Sequence, residues 1–260
     1  MGEPELLYHE TDSIGFITFN RPQARNALTF GMYERMAEIV DGVDGSGRIK
    51  ALVLSGAGGL AFAAGTDISQ FRSFSGPQDA LDYEARIDRV IVRLEACVVP
   101  TIAAIAGACT GGGLAIAGAC DLRIAATGAK FGMPIARTLG NCLSMANLNR
   151  LVALIGVARV KELIFTSRLV SAEDALGLGL VSEVLPDAVA LALRAAEMAS
   201  QIAGLAPLTL RATKMALRRL RDDGPGAEDQ DLIRMCYESA DFREGLEAFL
   251  GKRKPEWRGV

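Results

Sequence analysis

Residues 6–10 and 14–19 are short β-type runs, rich in apolar residues, on either side of Thr11-Asp12-Ser13. That pattern predicts two strands joined as a hairpin. After Thr29 the period becomes helical: Met32, Met36, Ile39, Val40 and Val43 share one face, and Thr29 is placed to cap the helix. Residues 51–54 are a short continuous apolar run, predicted as a buried strand, and Ser55-Gly56-Ala57-Gly58-Gly59 reads as a turn. Residues 79–96 predict a polar helix whose inner side is Leu81, Ile87, Val90, Ile91 and Leu94. A strand over 122–125 and a loop over 130–134 follow, then helices over 144–155 and 158–166 with Ser144 as N-cap. Ser171-Ala172-Glu173-Asp174 resembles a capping box, Gly177-Leu178-Gly179 ends that helix, and 180–184 reads as a strand. Beyond Asp187 the pattern is helical throughout, over 188–202, 207–220, 228–240 and 242–250. Strands and helices alternating to about 185, with a helical tail, indicate an α/β fold. No linker or solenoid repeat interrupts it.

One stretch departs from these amphipathic patterns. Residues 98–121 run from Val98-Val99-Pro100 through a β-type segment to Gly111-Gly112-Gly113 and on into small helix formers, with no charge between Glu95 and Asp121. The run is long enough to span a bilayer. However, it is dominated by Ala and Gly, and a Gly triplet is a poor helix interior, so no membrane span is expected. A buried strand-turn-helix remains, with or without chemistry. Glycines at such a turn let backbone N–H groups approach a ligand, with the positive end of the new helix behind them.

The totals narrow the classes. With 260 residues, half of them hydrophobic, the chain can bury one large core or a core plus a subdomain. A net charge of −3 and no basic block argue against nucleic acid as a partner. Met1-Gly2-Glu3-Pro4-Glu5 is acidic with no apolar segment after it, so no secretory leader is expected, and Leu6 fails the myristoylation pattern. The cysteines at 97, 109, 120, 142 and 236 show no metal spacing and read as buried free thiols of a cytoplasmic protein. His9 is the only histidine, which argues against a His-ligated metal or a Ser-His-Asp triad.

Several separated motifs then agree. Asn20-Arg21-Pro22 with Asn26-Ala27-Leu28, Phe62-Ala63-Ala64-Gly65-Thr66-Asp67, Ala106-Gly107 with the Gly triplet, and Cys120-Asp121-Leu122-Arg123-Ile124-Ala125 occur in that order. Phe131-Gly132-Met133-Pro134, Ala172-Glu173-Asp174-Ala175 with Gly179-Leu180-Val181, and Arg243-Glu244-Gly245 with Phe249 and Lys252-Arg253 complete the set. Across nearly the whole chain this resembles the enoyl-CoA hydratase/isomerase (crotonase) superfamily. The resemblance implies a crotonase-like spiral of ββα units over 1–190 that binds acyl-CoA. It implies a C-terminal helical region over 191–260 that helps assemble a homotrimer or dimer of trimers. The ligand would be an acyl-CoA thioester; CoA enters as part of the substrate, with no separate cofactor and no metal. By the same carry-over, the backbone N–H groups of Thr66 and Gly112 would hold the thioester oxygen. Such donors stabilise developing negative charge by about a few kcal/mol each. Arg25, Ala27, Ala64 and Ile68 would lie near CoA, and Phe249 and Lys252 near its nucleotide end. The alternative for Lys252 is an exposed tail charge.

One departure bears directly on the reaction. Hydratases of this family carry two glutamates, one two residues after the Gly triplet and one directly after the Pro of the FGxP motif. Here those positions are Ala115 and Ile135. Neither moves a proton. No shift of register repairs this, because 96–120 and 122–161 contain no Asp or Glu. Asp121 reads as a buried, hydrogen-bonded structural residue, and Asp67 as a loop residue. Candidate replacements are Arg137 and Asn141, in a polar segment that also carries Thr138, Cys142 and Ser144, and Glu84 and Asp88, one helical turn apart. The bland readings are a capped loop and a solvated charged face. Hydration of 2-enoyl-CoA is therefore doubtful. An isomerase, decarboxylase or thioester hydrolase needs fewer acid–base groups, and a catalytically silent acyl-CoA-binding protein needs none.

Overall fold

The computed structural model describes residues 3–260. Met1 and Gly2, on which the leader and myristoylation readings partly fall, lie outside the described residues. Strands β1 (Leu6–Thr11) and β2 (Ile14–Phe19) form the expected hairpin, with Leu6 opposite Phe19 and Thr11 opposite Ile14. Asp12 and Ser13 turn it with positive φ of 50° and 65°, the backbone a two-residue hairpin loop requires. Helix α1 (Phe30–Ser46) starts where Thr29 Oγ1 accepts from Met32 N, and buries Met32, Tyr33, Met36, Ile39, Val40 and Val43.

A strand-strand-helix unit then occurs three times. The units are β3 (Ala51–Gly56), β4 (Ala61–Ala63) and α2 (Pro77–Glu95); β5 (Thr101–Ile105), β6 (Ala108–Thr110) and α3 (Gly112–Ala119); and β7 (Leu122–Ala126), β8 (Lys130–Gly132), a short α4 (Ile135–Thr138) and α5 (Met145–Phe165). The first strand of each unit enters one six-stranded sheet and the second enters a four-stranded sheet. The chain closes with β9 (Val170–Ser171), α6 (Ala172–Gly177) and β10 (Glu183–Leu185), then α7 (Ala188–Ala203), α8 (Pro207–Asp223), α9 (Gln230–Tyr237) and α10 (Ala240–Leu250). The large sheet runs β1-β2-β3-β5-β7-β10 and is parallel from β2 onward; the small one runs β4-β6-β8-β9. This is the ββα spiral that the motifs implied.

Several expectations need correction. Residues 130–132 are a strand, not a loop; three residues are too few to show a period, and Phe131 is buried by pairing with β6 and β9. The strand expected over 180–184 is β10, at Glu183–Leu185, because Leu180 and Val181 pack into the core instead. Leu81 is 63% exposed, so the buried stripe of α2 begins at Ile87. Cys142 is exposed and Cys236 half-buried, so the thiols are not all interior. The two helices expected over 144–155 and 158–166 meet at Gly156, whose φ of 78° and ψ of 158° break α5.

The core has two parts. The larger lies where α1, α2 and α3 cover the sheets, around Ile17, Phe19, Leu52, Leu54 and Phe62. The smaller lies where Leu191, Ala195 and Ala199 of α7 pack on Ile14, Val53, Ile102 and Ile124. A division at residue 190 thus cuts through α7, a helix of the core. Lys214 of α8 ties the helical region to the sheet: its Nζ donates to Val99 O at 2.8 Å and Asp121 Oδ2 at 2.5 Å. Asp121 also accepts from Thr101 N at 2.7 Å and Thr101 Oγ1 at 2.9 Å, the structural use expected of it.

Two local arrangements set the geometry around Thr66 and Gly112. Asn26 is fully buried with φ of 55°. Its Oδ1 accepts from Arg21 N at 2.9 Å, and its Nδ2 donates to Ala57 O at 3.0 Å and Ala61 O at 2.7 Å. It therefore fastens the loop after β2 to the loop between β3 and β4. The Gly triplet is the second. A Cβ on Gly113 would lie 2.1 Å from Ala63 O, and one on Gly112 would lie 2.3 Å from Tyr33 Oη and 3.1 Å from Thr66 Oγ1. Only glycine lets α3 start this close to the chain at 63–66.

Asn26→Ala is expected to lower unfolding free energy by about 1–3 kcal/mol, since it removes a fully buried amide that bonds the Arg21 N–H and the Ala57 and Ala61 carbonyls; denaturant unfolding measures it. Gly112→Ala is expected to lose about 1–3 kcal/mol through overpacking. A double-mutant cycle with Tyr33→Phe, read by thermal unfolding, should recover part of that loss, because the nearest obstructing atom is gone.

Candidate active site

The chain at 25–28 runs beside 64–67 as a small parallel pairing. Ala64 N donates to Arg25 O at 3.1 Å, Leu28 N to Gly65 O at 2.8 Å and Asp67 N to Leu28 O at 2.9 Å. These bonds use the amides on either side of Thr66 and leave its own N–H facing the other way. Asp67 then caps the 3-10 turn at Ile68–Ser73: its Oδ1 accepts from Ser69 N at 3.1 Å and Ser69 Oγ at 2.7 Å, and its Oδ2 accepts from Arg21 Nη1 at 3.0 Å. The Ser69 bonds first, and the Arg21 guanidinium after them, hold the Asp67 carboxyl below its ordinary range. It serves the loop, as expected.

Gly111, Gly112 and Gly113 face this segment from the other side. Gly111 N donates to Gly132 O at 3.1 Å, which fixes the turn to β8, and Ala115 N bonds back to Gly111 O at 3.1 Å. Neither Thr66 N–H nor Gly112 N–H donates to a backbone carbonyl among the described residues. Both residues line one cavity of about 270 Å³. The positive end of α3 points into it.

Three hydroxyls meet at the same place. Thr66 Oγ1 lies 3.1 Å from Tyr33 Oη and 3.0 Å from Tyr83 Oη and hydrogen-bonds both. Burial pushes the Tyr33 phenol far above its usual value, and pushes Tyr83 up to about 12, so both stay protonated at neutral pH. Tyr83 is held by aromatic neighbours: its ring centroid lies 4.9 Å from Phe71, 5.6 Å from Phe30 and 6.0 Å from Phe74. That packing also presses the segment after Asp67 onto α1 and α2.

The rest of the wall is mostly apolar. Ile68, Phe71, Ile87, Met133 and Leu143 contribute, and so do Ala115 and Ile135, the two positions where a glutamate was expected and is missing. Glu84 is the one carboxylate among the lining residues. It is half-buried, with no hydrogen bond or ion pair to another side chain among the described residues. Burial first, and the neighbouring Asp88 charge second, raise its carboxyl above the ordinary range. Asp88 sits one turn further along α2 and is held from α5: its Oδ1 accepts from Ser144 Oγ at 2.8 Å and Asn147 Nδ2 at 3.1 Å. Ser144 meanwhile caps α5 through Asn147 N. The pair is more than a charged face: Glu84, half-buried, lines a cavity, and Asp88 is bonded to a neighbouring helix.

The expected site residues separate into three groups. Thr66, Gly112, Ala64, Ile68, Glu84 and Asn141 line the cavity. Arg25 and Ala27 flank it through the 25–28 pairing, with the Arg25 side chain exposed. Arg137 is exposed on α4 outside the lining, and Phe249 and Lys252 are exposed at the end of α10, outside it as well. The sequence reading missed Tyr33 and Tyr83. Helical spacing could have found both, since Tyr33 lies three residues before Met36 and Tyr83 four before Ile87. Among the described residues no group of three or more His, Cys, Asp or Glu could hold a metal ion. No single helix there is long and apolar enough to cross a membrane.

Comparison with known proteins gives the family and the fold. The enoyl-CoA hydratase/isomerase family profile matches residues 9–260. The short-chain-enoyl-CoA hydratase of Clostridium acetobutylicum is 32% identical, with 96% of each chain covered. The crotonyl-CoA hydratase of Syntrophomonas wolfei is 30% identical, with 98% of each covered. Among solved structures, an enoyl-CoA hydratase/carnithine racemase from Magnetospirillum magneticum superposes with a TM-score of 0.92 at 32% identity, covering 100% of this chain and 97% of that one. A family profile over almost the full length, full-length relatives and the same ββα spiral converge: the chain is an enzyme of the enoyl-CoA hydratase/isomerase (crotonase) family.

Proposed function

We propose that this enzyme binds an acyl-CoA thioester with its carbonyl oxygen between the N–H groups of Thr66 and Gly112, and works through the thioester enolate. The observation that carries the reading is the pair of N–H groups, without backbone acceptors among the described residues, on facing walls of one cavity. Charge that develops on the oxygen meets fixed dipoles and the N-terminus of α3, so little reorganisation is needed as it forms. The acyl chain would lie among Ile87, Met133, Ile135 and Leu143. Arg25, Ala27, Ala64 and Ile68 would border CoA at the rim. CoA arrives and leaves as part of the substrate, and no separate cofactor is invoked.

Hydration of 2-enoyl-CoA is disfavoured. It needs one group to activate water and one to deliver the proton, and Ala115 and Ile135 provide neither. Chemistry with a single proton-transfer group, above all isomerisation, suits the cavity better than hydration; decarboxylation and thioester hydrolysis remain in the test panel. The same two substitutions favour a second reading, an acyl-CoA binder without turnover.

The helical region supports a further part of the reading, a homotrimer or dimer of trimers. Leu217, Ile233, Phe249 and Leu250 of α8, α9 and α10 are at least 50% exposed, and such a surface is suited to burial between copies. In that assembly Phe249 and Lys252, remote from the cavity lining of their own chain, would reach the nucleotide end of CoA. Light scattering reads the assembly, and a monomer overturns this part.

A panel of enoyl-, hydroxyacyl- and malonyl-type CoA thioesters, followed by mass spectrometry with binding measured by calorimetry, tests the function. Binding with turnover of at least one thioester is expected, and crotonyl-CoA should be hydrated poorly. Binding without any turnover would favour the silent binder, and hydration of crotonyl-CoA at an ordinary enzyme's rate would overturn the weight given to Ala115 and Ile135. The double variant Ala115→Glu/Ile135→Glu is expected to raise crotonyl-CoA hydration by about tenfold or more, because it restores both proton-transfer groups.

A further inference from the structure

We propose that Glu84 is the proton-transfer group of this cavity, with Asp88 as its positioning residue, and that the matching substrate is a 3-enoyl thioester. The inference rests on the enolate reading and names the group which that reading leaves open. Three observations carry it. Glu84 is the one carboxylate lining the cavity, and no other side chain among the described residues hydrogen-bonds or ion-pairs with it. It lies close enough to the hydroxyl cluster for its charge to act on both Tyr33 and Tyr83, the two phenols that bond Thr66. It therefore shares the cavity with the hydroxyl cluster at Thr66, beside the place proposed for the thioester oxygen.

Its neighbour is fixed in turn. Asp88 accepts from Ser144 and Asn147, Asn147 Oδ1 accepts from Arg150 Nη1 at 3.1 Å, and Arg150 Nε bonds Glu95 at 3.0 Å. Asn147 and Arg150 are buried. This chain holds a second carboxylate one turn from Glu84 and makes the Glu84 proton easier to keep. Burial acts the same way and is the larger cause. Both effects make this carboxylate more basic than an ordinary one, the direction a base for a carbon-bound proton requires.

The step balances without a co-reactant. Glu84 takes the proton from C2 of the 3-enoyl thioester, and the C–H electron pair becomes the C1–C2 double bond, with negative charge on the thioester oxygen. The protonated Glu84 then gives its proton to C4. The C3–C4 double bond moves to C2–C3 and the carbonyl reforms. One carboxyl does both transfers, so the absence of carboxylates at Ala115 and Ile135 is no obstacle. The apolar wall at those positions also keeps water from competing at the enolate.

Turnover should rise with pH as Glu84 loses its proton, with the acid limb above the ordinary carboxylate range. The other ionisable groups around the cavity are Asp88 and Tyr83 on the same helix, Tyr33 from α1 and Cys142 from the loop before α5; α3 and the Met133–Ile135 segment bring none. Removing the Asp88 charge lowers the Glu84 pKa, so the limb should move to lower pH.

The test uses the intact protein with 3-hexenoyl-CoA in heavy water. Binding is read by calorimetry, and formation of 2-hexenoyl-CoA and deuterium uptake by mass spectrometry. Glu84→Gln is expected to lose about 100-fold or more in both product and exchange while still binding the thioester. Asp88→Asn is expected to shift the acid limb down by about half a pH unit or more, which a merely structural role would not do. Glu84→Gln within threefold of the parent overturns the proposal, and so does a parent protein that binds the thioester but neither isomerises nor exchanges it. Failure to bind any acyl-CoA would overturn the enolate reading beneath it.

Discussion

The start of α3 lies closer to the 63–66 segment than side chains permit, and the rest of the site depends on that approach. Carbonyl Ala63 O occupies the space a Cβ on Gly113 would take, and the Tyr33 hydroxyl occupies the space beside Gly112. The chain must therefore be glycine at 113, or α3 must move outward; at 112 a side chain would have to displace the Tyr33 hydroxyl. Were α3 to move, Gly112 N–H and Thr66 N–H would no longer face one cavity. Asn26 acts on the opposite side of the same arrangement. By bonding across Arg21, Ala57 and Ala61 it holds the loops from which 64–67 emerges. Backbone contacts on one side and a buried amide on the other leave the 66 position little freedom.

The hydroxyl cluster follows from this closeness. Thr66 carries a side chain toward the interior, where Tyr33 is fully buried and cannot reach water. A hydroxyl has one donor and two acceptor sites, so Thr66 satisfies two phenols at once. Both phenols titrate far above neutral pH and remain neutral donors. The polar groups around Thr66 are thus neutral dipoles: two amides, three hydroxyls and a helix end. A negative oxygen suits such a place, whereas a cation has no counter-charge there except Glu84.

The alternation of strands and helices was legible because its signals are long or repeated, whereas the ββα spiral itself was implied by the family resemblance. The hairpin turn at Asp12-Ser13, the Met32–Val43 face and the capped helix starts at Thr29, Ser144 and Ser171 all appear where the pattern put them. The strands of the small sheet were hard to see because they are two or three residues long and carry no period of their own. Their identity comes from pairing partners far apart in sequence. The candidate site was legible where it is made of backbone, since Gly112 and Thr66 sit in recognisable motifs and line one cavity. It was obscure where it is made of side chains from different helices. Nothing local announces that Tyr33, Tyr83 and Thr66 meet, or that Ser144 and Asn147 reach back to Asp88. Arg137 looked suitable in sequence and points elsewhere, because four residues of helix after Pro134 carry it out of the lining.

In the proposed reading, holding the oxygen and moving the proton fall to different kinds of structure, and this explains why the first is easier to propose from sequence than the second. The proposed oxygen contacts are N–H groups, which any residue compatible with the backbone supplies; Thr at 66 leaves that donor intact. Proton transfer needs a particular side chain at a particular wall, and three walls are available: α3 at Ala115, the segment after Pro134 at Ile135, and α2 at Glu84. With two of the three apolar, both chemistry and solvation change together. In the proposed reading a carboxylate on α2 acts alone, with burial and the Asp88 charge raising its carboxyl and no second carboxylate in the lining to activate water. Proton movement along a bound chain is then the reaction such an arrangement would favour over addition of water to it.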